Sequence, residues 1–145
     1  MFKTILVPVD GSPTALAAAR VAADLARVHG SRVVIAFVVD PYPFTGVGTD
    51  FAYGQSEYLS AAMAEAQMSV QAAKELFDSA AIPAETSILE SHTPWRGVVQ
   101  AAESQGCDLI VMGSHGRSGL EKWVLGSVTQ AVLAHTTRPV LVVRG

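Results

Sequence analysis

Short apolar runs alternate with amphipathic stretches along the whole chain. Thr4 to Val9 (T-I-L-V-P-V) is nearly continuous in apolar residues. Such a run suits a strand covered on both faces, as in a parallel sheet. Pro8 has no N–H for a central ladder, so its place is near the strand's end. Ser12-Pro13 opens a helix, with Ser12 as cap and Pro13 in the first helical position. The helix runs to about His29, and Gly30 stops it. Arg20, Asp24 and Arg27 share one of its faces; Val21, Leu25 and Val28 share another.

A second strand reads Arg32 to Val39 (R-V-V-I-A-F-V-V). Asp40 to Gln55 contains Pro41, Pro43, Gly46, Gly48 and Gly54, and is expected to be the one long loop. It carries Tyr42, Phe44, Phe51 and Tyr53, and either covers a ligand, binds a partner or is an ordinary surface loop. A long helix is expected from Ser56 to about Ala81. Its Leu59, Met63, Ala66, Val70, Ala73 and Phe77 follow spacings of four and three, a stripe that packs on the sheet rather than on a coiled-coil partner. Pro83 breaks the chain, and Ala84 to Leu89 is the third strand. Thr93-Pro94 opens a helix that reaches about Gln105 and ends at Gly106. Asp108 to Met112 is strand four. A loop, a helix from about Val128 to Ala134 and a last strand, Pro139 to Val143, complete the chain. This strict alternation calls for a mostly parallel α/β sheet with helices on both faces and right-handed crossovers.

Composition narrows the class. A chain of 145 residues suits one domain, and 50% hydrophobic with 16% charged residues excludes intrinsic disorder. The net charge of -3 and the lack of a basic run give no footprint for nucleic acid. Cys107 is the sole cysteine, so no intramolecular disulfide forms. The start, Met1-Phe2-Lys3-Thr4, runs directly into a strand without a signal-peptide pattern. No apolar run approaches the ~18 residues of a membrane span. The expectation is a cytoplasmic protein with neither a membrane nor a nucleic acid as partner.

In open α/β sheets, ligands bind beyond the carboxyl ends of the strands, where the chain reverses direction across the sheet. The loop after strand four is the most informative there: Gly113-Ser114-His115-Gly116-Arg117-Ser118-Gly119, then Leu120 to Leu125, then Gly126-Ser127. Glycines adopt positive φ and let a ligand approach the backbone. Successive N–H groups form anion-binding concavities. Gly126-Ser127 opens a helix, Ser127 and Gln130 have capping-box spacing, and a helix start offers free N–H groups. These features suit a polyphosphate; a Gly-rich connection before an ordinary capped helix fits them equally. Neither a P-loop lysine nor a G-x-G-x-x-G fingerprint is present.

Gly113-x2-Gly116-x9-Gly126-Ser127 resembles the G-x2-G-x9-G-[ST] signature of ATP-binding universal stress proteins. The resemblance extends to I-L-V-P-V-D-G-S (Ile5 to Ser12), D-L-I-V-M-G-S-H-G (Asp108 to Gly116), G-S-V-T (Gly126 to Thr129) and the closing P-V-L-V-V. It covers essentially the whole chain. It implies a single-domain, Rossmann-like adenine-nucleotide-binding fold with a five-stranded parallel sheet in the order 3-2-1-4-5.

The resemblance also implies roles. Asp10 matches an aspartate beside the adenine and ribose, and it reads alternatively as a turn aspartate next to Gly11. Val38 matches the position whose backbone holds the adenine edge, and is also a core strand valine. Gly113, Gly116 and Gly126 look like phosphate-side glycines, and Ser127 and Val128 like donors to the terminal phosphates. Ser114, His115 and Arg117 share that loop; Arg117 either screens phosphate charge or stands in solvent. Pro8, Val9 and Met112 complete the implied binding set. His115 has no paired base in view, so no catalytic residue and no metal site are assigned. One position departs from the family pattern: His92 stands where glycine is common, followed by the bulky Trp95. If the backbone there needs positive φ, His92 suits it less well.

The implied function is a stress-response regulator that binds ATP, with Mg2+ bridged through the phosphates, and acts through nucleotide-dependent conformation or an unidentified protein partner. The alternatives are a slow ATPase or phosphotransferase, and an interaction protein that has kept the fold without the ligand. The apolar last strand, Pro139 to Val143, is an edge in the implied order, and a homodimer through it is expected.

Overall fold

The apolar runs become the middle of a sheet buried from both sides. The structure, a computed structural model, describes residues 1–41, 49–116 and 125–145, with residues 49–53 described by backbone alone. Tyr42, Phe44 and Arg117 therefore lie outside the described residues, as do the side chains of Phe51 and Tyr53. The elements are β1 (Thr4–Pro8), α1 (Pro13–His29), β2 (Arg32–Val39), α2 (Thr49–Ser79), β3 (Ala84–Glu90), α3 (Pro94–Ser104), β4 (Leu109–Gly113), α4 (Ser127–His135) and β5 (Val140–Val143). The five strands form one parallel sheet in the order β3-β2-β1-β4-β5.

Side chains alternate across each strand, and each set finds helices to cover it. Ile5, Val7, Val33, Ile35, Leu109 and Val111 pack with α1 and α2. Leu6, Val34, Ala36, Ile110 and Met112 pack with α3 and α4. The α2 stripe behaves as its spacing requires: Ala66, Val70, Ala73 and Phe77 are buried on the sheet. α1 differs from the simplest reading of its pattern. Its buried face is made of Ala15, Ala18, Ala19, Ala22, Ala23 and Ala26, while Val28 is 79% exposed. Small side chains let this helix lie close over β1 and β4.

Local chemistry sets the ends. Gly11, at φ 84°, makes the turn from β1 into α1. Ser12 Oγ then accepts from the Ala15 N–H at 3.2 Å and caps the helix. Gly30, at φ 66°, ends α1 in the left-handed region. Thr93 occupies the cap position of α3 but makes no side-chain cap bond. The expected loop from Asp40 to Gln55 is shorter than its composition indicates, because α2 begins at Thr49. No proline stands between Thr49 and Ser79, and one helical glycine, Gly54, costs only about 1 kcal/mol. Among the described residues, no helix is long and apolar enough to cross a membrane.

At the amino end of the sheet, Asp108 ties β1 to β4. Its carboxylate accepts from the Lys3 N–H at 2.9 Å and the Thr4 N–H at 3.1 Å, and its own N–H donates to Thr4 O at 2.9 Å. Partial burial pushes the Asp108 pKa up, but these backbone donors outweigh it and hold the carboxyl below its ordinary value of 3.8. A depressed carboxyl stabilises the fold fully above its unfolded pKa and loses that contribution as pH falls through the folded one. Asp108→Asn is expected to lower stability at neutral pH, with the gap to the parent closing as pH falls below the ordinary carboxyl value of 3.8. Urea unfolding across that range measures it.

Candidate functional site

A cleft opens where β1 and β4 stop pairing. Their register runs Ile5↔Leu109 and Leu6↔Ile110 and goes no further. The bond pattern explains why Pro8 is tolerated in a central strand. Lys3 O and the Val9 N–H bond to β2, so the odd residues of β1 face that way. Thr4 O bonds to β4, so Leu6 and Pro8 face β4. The missing N–H of Pro8 falls one step past the Leu6↔Ile110 pair, so the proline ends this ladder rather than interrupting it. The strand order also reverses between β1 and β4, which is the switch point of the fold.

The cleft encloses a cavity of about 320 Å³. Eleven of the implied binding residues line it: Pro8, Val9, Asp10, Val38, Met112, Gly113, His115, Gly116, Gly126, Ser127 and Val128. Ser114 does not. It is fully buried, its N–H donates to Val143 O at 2.8 Å and its carbonyl accepts from the Gly126 N–H at 2.7 Å. Its role is to join β4 to β5 and to the start of α4. Arg117 lies outside the described residues. Ala15, Ala36, Pro94, Val98 and Thr129 also line the cavity and were not singled out from sequence. Ala36 was within reach of it, since residues two apart on a strand share a face with Val38.

The loop glycines serve space rather than backbone freedom. Positive φ among the described glycines occurs at Gly11, Gly30 and Gly106, not at Gly113, Gly116 or Gly126. A Cβ on Gly113 would stand 2.6 Å from Thr14 Cγ2, and one on Gly116 would overlap Asp10 Oδ2. One on Gly126 would come within 3.2 Å of His115 Cα. Asp10 is itself anchored, its Oδ1 accepting from the Ser12 N–H at 2.9 Å.

The first turn of α4 faces the cavity without a cap. The expected capping box does not form. Gly126, not Ser127, is the N-cap, and it has no side chain to offer. Gln130 sits one position too far along and donates instead to Leu125 O at 2.6 Å. The amides of Ser127, Val128 and Thr129 have no intrahelical acceptors, and all three residues line the cavity. Thr129 is buried, and its Oγ1 donates to Gly113 O at 2.9 Å, fixing α4 against the end of β4. This end of the cavity attracts anions.

The opposite end offers a polar backbone edge between apolar walls. Arg32 and Ala36 bond toward β1, whereas Val33 and Val39 bond toward β3. Alternation therefore turns the N–H and C=O of Val38 toward β1, past the last bond at Val9 and Ala36. A donor and an acceptor thus stand side by side at the cavity wall, flanked by Ala36, Val98 and Met112.

The sequence matches the model described as the universal stress protein family over residues 1–144. The chain belongs to the universal stress protein family. It is 35% identical to universal stress protein MJ0531 of Methanocaldococcus jannaschii, across 99% of this chain and 83% of that one. It is 34% identical to a universal stress protein of Thermus aquaticus, across 99% of this chain and all of its relative. Universal stress protein UspA of Lactobacillus plantarum superposes with a TM-score of 0.87 at 28% identity, covering 98% of this chain and 97% of that one.

Within this universal stress protein, the departures at His92 and Trp95 leave the cavity untouched. Ala81 is the one described non-glycine residue with positive φ, so His92 carries no such demand. His92 Nδ1 lies 3.3 Å from Asp40 Oδ1. Trp95 is partly buried against the core on the α3–α4 side and stacks on His135, with ring centroids 4.0 Å apart. His115 Nδ1 lies 3.3 Å from the neighbouring Gly116 O. Cys107 is buried away from the cavity, and that burial pushes its thiol up to about 11, partly offset by Arg32 and Arg138 and reinforced by Asp108 and Glu85. Among the described residues, no three His, Cys, Asp or Glu side chains cluster as a metal site.

Gly113→Ala forces a methyl against Thr14 and the His115 backbone. It is expected to cost about 1–3 kcal/mol of stability, as overpacking does. Urea denaturation of the variant beside the parent tests this.

Proposed function

We propose that this universal stress protein is an adenine-nucleotide-binding regulator whose ligand is ATP. The observation that carries the reading is one cavity with two complementary ends: the free N–H and C=O of Val38 at one, the uncapped amides of Ser127 and Val128 at the other. Adenine presents an acceptor beside an amino donor, which suits the Val38 edge, and Ala36, Val98 and Met112 keep water from the base. Asp10 accepts from a ribose hydroxyl. Gly116 and Gly126 line the cavity beside these amides and present only backbone to the phosphates. The residues present therefore fit the nucleotide, and the volume of about 320 Å³ falls at the small end of the usual ligand-site range. Mg2+ would be held through the phosphates.

Proteins of the same fold lend weight to the adenine moiety. A universal stress protein solved in complex with cAMP has a TM-score of 0.67 at 23% identity, covering 99% of this chain and 96% of that one. One from Archaeoglobus fulgidus in complex with dAMP has a TM-score of 0.71 at 23% identity, covering 97% of this chain and 96% of that one.

Regulation follows from what the ligand touches. Occupancy draws together β2, α3, β4 and α4, and Ser114 connects the start of α4 to the edge strand β5. A protein partner or a second copy then reads the change. The apolar edge β5, with Leu141 38% exposed, is the surface for that second copy.

Calorimetric titration of ATP with Mg2+ into nucleotide-stripped protein tests the reading, with Gly126→Asp beside it. Saturable binding by the parent and its loss in the variant are expected, because aspartate puts a negative charge where phosphates would lie. Circular dichroism establishes that the variant is folded. No binding by a folded parent overturns the proposal. For the assembly, sedimentation at micromolar concentration is expected to give a dimer, and Leu141→Lys a monomer. A monomeric parent ends that part of the reading.

A further inference from the structure

Gly97 stands inside α3, where glycine costs about 1 kcal/mol relative to alanine. Its backbone does not call for glycine: it makes a helical N–H bond to Thr93 O at 3.2 Å, and its φ is not positive. Space does call for it. A Cβ on Gly97 would lie 2.9 Å from both Cγ1 and Cγ2 of Val38, and 3.4 Å from Ser91 Cβ. Val38 is half-buried, and what remains of its surface helps line the cavity.

Helix α3 therefore rests on the Val38 side chain through a point where it has no side chain of its own. Valine is stiff at χ1, and both of its methyl groups face the same obstruction, so rotation offers no escape. Ser91, bonded through its N–H to Val39 O at 2.9 Å, closes the other side. A methyl at Gly97 leaves two outcomes: the helix lifts, carrying Pro94 and Val98 of the cavity wall with it, or Val38 moves toward the cavity. Either alters the end that carries the free backbone edge, whereas the first turn of α4 is held to the end of β4 by Thr129 Oγ1 on Gly113 O and by the Gly126 N–H on Ser114 O.

We propose that Gly97 is a specificity-determining position: by letting α3 seat directly on Val38, it sets the width of the base end of the cavity so that a planar purine fits against the β2 edge. The inference rests on the nucleotide reading above. Gly97 touches no ligand and acts through Val38, so it is a positioning residue.

The test compares the parent, Gly97→Ala, Val38→Ala and the double variant. The probes are ATP with Mg2+ by calorimetry, and inorganic tripolyphosphate, which has no base, by competition. Alanine favours the helix, so Gly97→Ala is expected to fold, and circular dichroism checks it. Gly97→Ala is expected to weaken ATP binding by roughly tenfold or more while tripolyphosphate competes as before. Removing the two methyl groups of Val38 gives the new Cβ room, so the double variant is expected to bind ATP within about threefold of Val38→Ala alone. Independently of any ligand, the Val38 methyl signals in NMR spectra are expected to shift in Gly97→Ala. Unchanged ATP affinity in Gly97→Ala overturns the proposal and leaves the nucleotide reading intact. Additive losses in the double variant, or equal weakening of ATP and tripolyphosphate, also overturn it. A parent that binds no ATP removes the nucleotide reading and this inference together.

Discussion

The structure depends on a sheet that is zipped at one end and parted at the other. β1 and β4 are joined at their amino ends by the Asp108 carboxylate and amide, and they separate after Leu6 and Ile110. Both strands are otherwise buried, so a parting in mid-sheet would strand polar backbone groups in an apolar core. It is tolerated here because Pro8 has no N–H to strand, and because the groups beyond it line a cavity. Pairing, burial and cavity are one arrangement, and the helices settle around it.

The cavity owes its chemistry to what is left out. Gly126 offers no cap, so the amides of α4 stay available. β1 ends before it can pair with Val38, so a donor and an acceptor stay available there too. Gly116 has no side chain, so Asp10 keeps its place. Each omission costs little alone, because neighbouring bonds hold the backbone. Thr129 fixes the start of α4 to Gly113, and Gln130 holds Leu125. Polar groups kept unpaired by a rigid frame need little reorganisation to receive a ligand.

Much of this is legible in the sequence. Continuous apolar runs mark strands covered on both faces, and Ser12-Pro13 with Gly30 marks both ends of α1, because those signals rest on local backbone physics. The glycine spacing points to the loop that lines the cavity. What escapes sequence is set by distance in space. The capping-box pattern at Ser127 and Gln130 is sound local chemistry, displaced when Gly126 bonds to Ser114 and becomes the cap. The loop glycines read as points of backbone freedom, yet Thr14 and His115, brought in by tertiary packing, are what require them. The alanine face of α1 beat its valine face because close approach to the sheet outweighs side-chain size. Gly97 and Thr129 give no local sign at all, since their meaning lies in Val38 and Gly113, each many residues away.

Ser114 has a consequence of a different kind. Its amide is spent on the edge strand and its carbonyl on the start of α4, while its hydroxyl is buried without a partner. Two backbone bonds through one fully buried residue separate the cavity from the rim of the sheet. Linkage makes any such connection symmetric: whatever free energy a ligand at α4 passes outward through Ser114, an event at the rim returns in equal measure. Were the proposed pairing through β5 and the proposed nucleotide both to form, the same residue would let each tune the other, and the concentration of the protein itself would become a signal.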